Sequence, residues 1–303
     1  MRIGVTGGTG LIGSTLCRKL IQGGHELVLF GRNRARAEVA VPSAGFVEWS
    51  SENGVGRESL LGGFEAFVHL AGEPIAAGRW TPGRQNLIRR SRVLGTRKLI
   101  DGFHQCGESP GVLISASAIG YYGSRGDEEL DEDSPPGSGF LPEVAIRWEE
   151  EASRIADLGG RLVLLRTGIV LSLDGGALSK MLLPFRLGLG GRLGSGKQFM
   201  SWIHLDDQVD LIDFAIREQV IEGALNATAP NPVRNLDFTE QLGRTLKRPT
   251  LFPVPGFLLR LGLGKMADAL LLEGQRVLPK KALDAGFKFR FPELSEALSD
   301  LLG

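Results

Sequence analysis

The sequence has few cysteines, no net charge and no long apolar runs. Only Cys17 and Cys106 occur among 303 residues, and both fall within predicted helices. We therefore expect reduced core thiols and a reducing compartment. No apolar run approaches the roughly 18 residues that a membrane span needs, and a strand predicted from Arg2 leaves no room for a leader peptide. A cytoplasmic location follows by default.

The charges also balance, because 35 Lys and Arg residues are matched by 35 Asp and Glu residues. This balance predicts neither a nucleic-acid partner nor a membrane partner. No group of Cys and His residues has the spacing of metal ligands, so no metal site is predicted. The partner that remains is a small molecule, and no pattern indicates an oligomeric state.

The first half of the chain alternates apolar runs with helical patterns. Strands are predicted at residues 2–6, 26–30, 45–49, 65–70, 112–117 and 161–167. Helices are predicted at residues 11–22, 83–106 and 141–157. Continuous apolar strands separated by helices are typical of a doubly wound parallel sheet, so we predict an α/β fold of Rossmann type.

The alternation loosens after Thr167. We divide the chain into a Rossmann domain, residues 1–170, and a smaller, mostly helical C-terminal lobe on the substrate side, residues 171–303. A helix at residues 206–217 and a strand at residues 223–228 follow this boundary. We expect such late segments to return to the first sheet.

A glycine-rich turn joins the first predicted strand to the first predicted helix. Residues 5–16 read VTGGTGLIGSTL, with glycines at the spacing of a dinucleotide-binding loop. These glycines allow a sharp turn, a close approach of main-chain N–H groups to a pyrophosphate, and tight packing of the helix on the strand. The helix N-terminus then faces the phosphate charge. The predicted cofactor contacts here are Gly7, Thr9, Gly10, Leu11, Ile12 and Gly13.

The end of the second predicted strand decides between the two nicotinamide cofactors. An NAD site usually has an Asp or Glu there, which binds the ribose hydroxyls. This chain has Gly31 followed by Arg32. A carboxylate would repel a 2′-phosphate, whereas a guanidinium can bind it with two hydrogen bonds. We therefore predict NADP (NADPH) rather than NAD.

Longer motifs extend along nearly the whole chain. They read TGGTGLIG, HLAGEPI (69–75), RWTPGRQNLIRRSRVLGTRKL (79–99), SASAIGYYG (115–123), DEDSPPG (131–137), LLPFRLGLGG (182–191), SWIHLDD (201–207) and LLEGQRVLPKKALDAGFKF (271–289). Through these motifs the chain resembles an extended, atypical short-chain dehydrogenase/reductase of the epimerase-like, NADP-binding branch, with that branch's small C-terminal domain. The resemblance implies further cofactor contacts from Leu70, Ala71 and Gly72. It also implies a contact from Arg92, which replaces an Asn of the superfamily.

The resemblance fails at the catalytic dyad. The superfamily uses a Tyr and a Lys four residues apart on a helix, and the Lys lowers the pKa of the Tyr so that it can exchange a proton. Here the matching positions are Val144 and Trp148, which cannot do acid–base chemistry. The polar candidates that remain are Ser117, Tyr121 and Tyr122. If Tyr121 matches the family's Tyr-Gly pair, Ser117 takes the Ser/Thr position, but if Tyr122 matches it, Ala118 does.

Two functions fit these observations. One is an NADP-dependent oxidoreductase or epimerase that acts on a small polar substrate, and the complete cofactor loop favours it. The other is an NADP-binding structural or sensing protein without turnover, and the missing dyad favours it. His69 and His204 are predicted to make structural contacts rather than to act as bases. The substrate cannot be read from the sequence.

Overall fold

In the computed structural model the first strand begins at residue 2 and the last helix ends at residue 302. Residues 1–303 are described, apart from the side chains of residues 58 and 59. The strands are β1 (Arg2–Thr6), β2 (Glu26–Gly31), β3 (Gly45–Ser50), β4 (Gly54–Val55), β5 (Ala66–His69), β6 (Val112–Ala118), β7 (Glu129–Leu130), β8 (Arg161–Thr167), β9 (Ile169–Leu171), β10 (Phe199–Met200), β11 (Trp202–His204), β12 (Gly223–Ala227), β13 (Val233–Arg234) and β14 (Arg276–Val277).

Helices connect these strands. They are α1 (Leu11–Gln22), α2 (Arg34–Ala40), α3 (Pro82–Cys106), α4 (Phe140–Ser153), α5 (Gly176–Arg186), α6 (Leu205–Arg217), α7 (Asn235–Leu246), α8 (Gly256–Leu263), α9 (Lys265–Ala267), α10 (Lys280–Asp284) and α11 (Leu294–Leu302). Short 3₁₀ helices lie at Glu58–Leu61, Ile119–Tyr122 and Arg154–Leu158, and a π-helical turn lies at Asp268–Leu272.

Eight strands form one sheet, in the order β12, β8, β6, β5, β1, β2, β3 and β4. Every neighbouring pair is parallel except β3 and β4. The chain runs outward from β1 through β2 and β3, and then returns to β5 and runs outward the other way. This reversal opens a crevice at the carboxyl ends of β1 and β5, where doubly wound folds place their ligands. The predicted Rossmann-type fold is confirmed.

Apolar side chains cover both faces of the sheet. On one face, α1 and α6 pack against residues such as Ile3, Val5 and Ile114, all of which are buried. On the other face, α3 and α4 cover a set of aromatic rings that includes Phe67, whose edge-on neighbours are Phe64 and Phe103. Because both faces are dry, the inner strands could be recognised as apolar runs.

The late segments rejoin the sheet, as expected. Strand β12 pairs with β8 in parallel, and α6 packs beside α1, so the sheet uses residues beyond the division at residue 170. The rest of the second lobe has its own core, built from α5, α7 and α11 around Trp202 and Phe238. Helix α2 and strand β4 were not predicted, because both are short and only Ala37 of α2 is buried.

Candidate functional site

The glycine-rich turn between β1 and α1 has the geometry of an anion cradle. Gly7 has a φ of +71°, which L-residues rarely adopt. A Cβ atom at Gly13 would collide with the carbonyl oxygen of Gly7, so α1 can lie this close to β1 only with glycine there. Gly10 is the N-cap residue immediately before α1. No side chain caps the helix, and no acidic residue lies in its first turn. The first N–H groups of α1 therefore remain available to an anion.

All the predicted contacts around this turn except Gly13 keep some exposed surface. Thr9, Leu11 and Ile12 are partly exposed and Gly10 is exposed, whereas Gly8 and Gly13 are buried in the packing of α1 on the sheet. The sequence therefore brings the predicted contact positions to one place at the mouth of the crevice.

A buried chain of hydrogen bonds fixes the neighbouring strand end. Thr6 Oγ1 accepts a hydrogen bond from the Ala71 N–H and lies 2.7 Å from His69 Nδ1, while His69 Nε2 lies 3.0 Å from Thr96 Oγ1. Burial lowers the pKa of His69 to about 4, so the ring is neutral at pH 7. His69 therefore has the structural role that was predicted: it positions Leu70, Ala71 and Gly72, which are partly or fully exposed at the crevice.

The end of β2 presents a cation without a partner. Gly31 closes the strand, and Arg32 follows it as an exposed side chain that makes no hydrogen bond or ion pair with any described residue. Arg34, by contrast, lies over the Phe46 ring at 4.9 Å and within 3.9 Å of Glu38. The 2′-phosphate position predicted for Arg32 is thus open to a ligand.

Arg92 lies beside the predicted loop at the end of β5. Its Nη1 donates to the Glu73 carbonyl oxygen at 3.0 Å, and its guanidinium carbon lies 5.2 Å from the centre of the Trp148 ring. A Cβ atom at Gly72 would sit 3.6 Å from that guanidinium carbon. Burial lowers the pKa of Arg92 to about 10, which still leaves it charged at pH 7. Nη1 also donates to the Ile88 carbonyl oxygen at 3.4 Å, whereas Nε and Nη2 have no hydrogen-bond partner among the described residues.

Helix α4 fills the dyad positions with packed apolar side chains. Val144 is 3% exposed and Trp148 is 5% exposed. Neither side chain can hold or move a proton, so the structure has no acid–base group at the two positions where the superfamily has its Tyr and Lys. The space that a Tyr and a Lys would occupy is closed rather than open.

A buried ion pair lies next to Trp148. Arg166 on β8 bonds both carboxylate oxygens of Glu149 on α4, at 2.9 and 2.8 Å, and both side chains are almost fully buried. Ser117 Oγ donates to Glu149 Oε1 at 2.6 Å. Burial would lower the pKa of Arg166, but its hydrogen bonds and ion pair with Glu149 raise it above its ordinary value. Ser117 is therefore engaged with Glu149 rather than free to polarise a ligand.

The same network takes up Tyr122. Its hydroxyl donates to Asn226 Oδ1 at 2.7 Å and accepts from Arg166 Nη1 at 2.9 Å. Burial raises the pKa of Tyr122 to about 12, and the side chain is not exposed at all. Tyr121 is different, because it is only half-buried and the Arg166 guanidinium carbon lies 3.5 Å from the centre of its ring.

The network contains residues that the sequence analysis missed. Glu149, Arg166 and Asn226 were not singled out, and neither was Glu132, a buried carboxylate that accepts main-chain N–H bonds from Asn226 and Lys281. One signal was present: Arg166 directly follows the apolar run of residues 162–165 in β8, where a buried cation requires a partner.

The far wall of the crevice comes from the second lobe. The Leu11 side chain lies within 4 Å of the Cβ positions of Gly175 and Gly176, at the start of α5. Lys180 on α5 donates to the Ala76 carbonyl oxygen at 3.1 Å and so bridges α5 to the loop that follows β5. Among the described residues, no cluster of His, Cys, Asp and Glu could hold a metal ion, and no helix could cross a membrane.

Comparison with known sequences places this geometry in a family. Residues 3–227 match the NAD dependent epimerase/dehydratase family, and residues 254–301 match a domain of unknown function, DUF1731. The chain belongs to the NAD dependent epimerase/dehydratase family. The resemblance predicted from the sequence motifs is thereby confirmed, including the small C-terminal domain.

Relatives within this epimerase/dehydratase family match along the whole of this chain. "Epimerase family protein SDR39U1 homolog, chloroplastic" of Arabidopsis thaliana is 40% identical over all of this chain and 87% of its own length. "Epimerase family protein YfhF" of Bacillus subtilis is 39% identical over all of this chain and 98% of its own.

Solved structures are similar to this chain over its whole length. The crystal structure of human epimerase family protein SDR39U1 (isoform 2) with NADPH is 35% identical, with a TM-score of 0.90 over all of this chain and 99% of that one. A UDP-galactose 4-epimerase, 20% identical with a TM-score of 0.76, shares the fold.

Proposed function

We propose that the chain binds NADPH along the carboxyl edge of its sheet and prefers it to NADH. The observation that carries this proposal is the unpartnered, exposed Arg32 after Gly31, in place of a carboxylate. The uncapped N-terminus of α1 beside Gly7 and Gly10 supports it, because both features suit phosphate groups. The NADPH in the structure of the human relative supports it as well.

Each wall of the crevice would hold a different part of the cofactor. The first N–H groups of α1 suit the pyrophosphate, and the guanidinium of Arg32 suits the 2′-phosphate. Leu70, Ala71 and Gly72 offer main-chain groups, and Arg92 offers unpartnered N–H groups on a fixed cation. The nicotinamide ring of NADPH is the part of the cofactor that carries a transferable hydride. A cytoplasmic location remains a prediction.

Titration calorimetry with NADPH and NADH tests the cofactor choice. We expect NADPH to bind more tightly by about 1.5–3 kcal/mol, the range of a hydrogen bond to a charged group. Arg32→Ala should remove most of that difference and leave NADH affinity nearly unchanged. Arg36→Ala is the matched control, because Arg36 is exposed on the adjacent helix and should not alter the preference. Equal affinities for the two cofactors in the unaltered protein would refute the proposal.

The acid–base end of the crevice favours a binding role over sugar-nucleotide turnover. Val144 and Trp148 are buried, and Ser117 and Tyr122 already bond the Glu149–Arg166 pair. Removing hydride from an alcohol needs a base for the hydroxyl proton, and a positioned base contributes about 100- to 10,000-fold. We therefore propose that NADPH serves this chain as a structural or sensing ligand.

An NADPH-dependent oxidoreductase or epimerase acting on a small polar substrate is the second candidate. Tyr121 favours it, since this Tyr is half-buried and has a cation against its ring.

A panel of sugar nucleotides, followed at 340 nm with a coupled epimerisation assay, separates the two candidates. We expect no measurable turnover, because no titratable side chain stands at either dyad position. Turnover on the order of 1–1,000 per second would contradict the binding role. In that case Tyr121→Phe should abolish turnover and leave NADPH affinity intact, which identifies Tyr121 as the proton donor.

A further inference from the structure

Helix α8 in the second lobe is apolar but uncovered. It reads GFLLRLGL, and none of its residues is buried. Phe257 is 66% exposed and Leu261 is 73% exposed. An apolar helix in a water-soluble fold is normally covered by the rest of the protein, so this one indicates a surface that meets something else.

Two other apolar segments adjoin α8. The chain after α5 runs parallel to the chain before α8, since Gly194 N–H donates to the Val254 carbonyl oxygen and Val254 N–H donates to the Arg192 carbonyl oxygen, both at 2.9 Å. We call residues 183–192 and 247–265 together the basic apolar surface. Its exposed large apolar side chains are Leu183, Leu187, Leu189, Leu251, Phe252, Phe257, Leu258 and Leu261.

The size of this surface sets it apart from scattered exposed residues. Together the eight side chains expose on the order of 800 Å² of apolar area, whereas single exposed apolar residues are normal on any protein surface. Elsewhere, exposed large apolar residues such as Val39 and Val220 stand in separate parts of the chain.

Charge of one sign surrounds the apolar side chains. The basic apolar surface contains no Asp or Glu, and its exposed cations are Arg186, Arg192, Lys247, Arg248, Arg260 and Lys265. Arg260 pairs with Asp268, but none of the other five makes an ion pair with a described residue. Because the whole chain has a net charge of zero, positive charge is concentrated here.

We propose that the basic apolar surface docks the protein on an anionic lipid surface. Exposed Phe and Leu side chains flanked by Lys and Arg are what interfacial helices present to lipid headgroups and the upper acyl chains. Each cation near such a surface strengthens binding about fivefold. The attachment is peripheral, with the apolar side chains entering only the headgroup boundary.

Two features favour lipid over a protein partner. A second copy of the chain would bring cations against cations with no carboxylate to pair them, which is unfavourable in a symmetric interface. Protein interfaces also contain about one hydrogen bond per 100–200 Å², and Thr250 is the one Ser, Thr, Asn, Gln, Tyr, Trp or His side chain in the two segments. This proposal departs from the expectation of no membrane partner. That expectation rested on the net charge of the whole chain, which does not reveal a local concentration of positive charge.

Vesicle sedimentation tests the proposal. The full chain is mixed with vesicles of phosphatidylcholine alone, or of phosphatidylcholine with phosphatidylglycerol, at low and high salt. We expect binding to the anionic vesicles, weakened by salt. Phe257→Ser with Leu261→Ser should reduce the partition coefficient at least tenfold, and Arg186→Gln with Arg248→Gln should reduce it about 25-fold, fivefold for each cation. Val39→Ser with Val220→Ser is the control, since it removes equally exposed apolar side chains elsewhere.

The outcomes are distinct. Unchanged NADPH affinity in the variants shows that they fold, and the proposal then stands on salt-sensitive binding lost only in the surface variants. No binding to anionic vesicles overturns it. Light scattering that finds a dimer, dissociated by Phe257→Ser with Leu261→Ser, in a protein that ignores vesicles assigns the surface to a second copy and also overturns it.

Discussion

The nucleotide end of the crevice and its acid–base end are assembled by different means. At the nucleotide end, one short segment from Gly7 to Gly13 supplies main-chain groups, and glycine permits the contacts because it has no side chain. At the acid–base end, Ser117, Glu149 and Arg166 come from three separate elements and meet as side chains.

The two ends also differ in what they leave unsatisfied. The first turn of α1 and the guanidinium of Arg32 have polar groups without partners, which suits a site that waits for an anion. The Glu149–Arg166 pair has its hydrogen bonds filled by Ser117, Tyr122 and the main chain of Glu132. The nucleotide end, which we call the open end, is therefore suited to binding an anion. The acid–base end, which we call the closed end, stabilises the fold.

The largest expected effect comes from breaking the closed end. Glu149→Ala should reduce the free energy of unfolding by about 3–5 kcal/mol, because it leaves the buried Arg166 charge without a partner. Urea unfolding of both proteins measures the loss. Glu149→Leu with Arg166→Met should recover most of it, since well-packed apolar residues often replace a buried ion pair without loss.

Glu143→Ala on the same helix is the control for that measurement. Glu143 pairs with Arg89, but both side chains are roughly half exposed, so the loss should stay under about 1 kcal/mol. A loss this small for Glu149→Ala as well would mean that water reaches the pair, and the closed end would then have to be regarded as open.

The second effect concerns His69, the buried residue at the end of β5. Its pKa is about 4 in the folded chain, against 6.5 for the ordinary side chain. The unfolded chain therefore binds a proton that the folded chain excludes between these values. His69 costs no stability above pH 6.5, and its protonation in the unfolded chain lowers the free energy of unfolding by up to about 3 kcal/mol as the pH falls to 4.

Urea unfolding between pH 4 and 7 measures this slope. His69→Gln should flatten it by that amount while lowering stability at neutral pH, because the bonds to Thr6 and Thr96 are weakened. Equal slopes in the unaltered protein and in His69→Gln would show that water or a proton reaches the ring.

The same contrast explains how far the sequence could be read. The seven parallel strands of the sheet and the helix α1 were predicted nearly to the residue, because buried parallel strands are apolar runs and glycine spacing is visible along a single segment. The loss of the Tyr/Lys dyad was equally visible, since Val144 and Trp148 lie on one helix. Features that depend on a single segment of the chain can therefore be predicted from the sequence.

The closed network was not readable in this way. Glu149 is 32 residues from Ser117 and 17 from Arg166, and nothing in either segment names the other. Ser117 and Tyr122 alone of its members were proposed, as catalytic candidates by resemblance, and their bonds to Glu149 and Arg166 could not be seen in the sequence. Exposure was equally invisible, because α8 has the composition of a core helix and its lack of cover depends on everything around it.

The smallest expected effect decides what Ser117 does. If its hydroxyl serves the closed network, Ser117→Ala should lower the free energy of unfolding by about 1.5 kcal/mol, the low end for a hydrogen bond to a charged group, because Glu149 loses one donor but keeps Arg166. NADPH affinity should not change, since the hydroxyl points to Glu149 rather than to the crevice. Ser115→Ala is a matched control, because Ser115 lies on the same strand and its buried hydroxyl has no described partner, so its removal costs little. Unchanged stability together with weaker NADPH binding would place Ser117 at the open end instead.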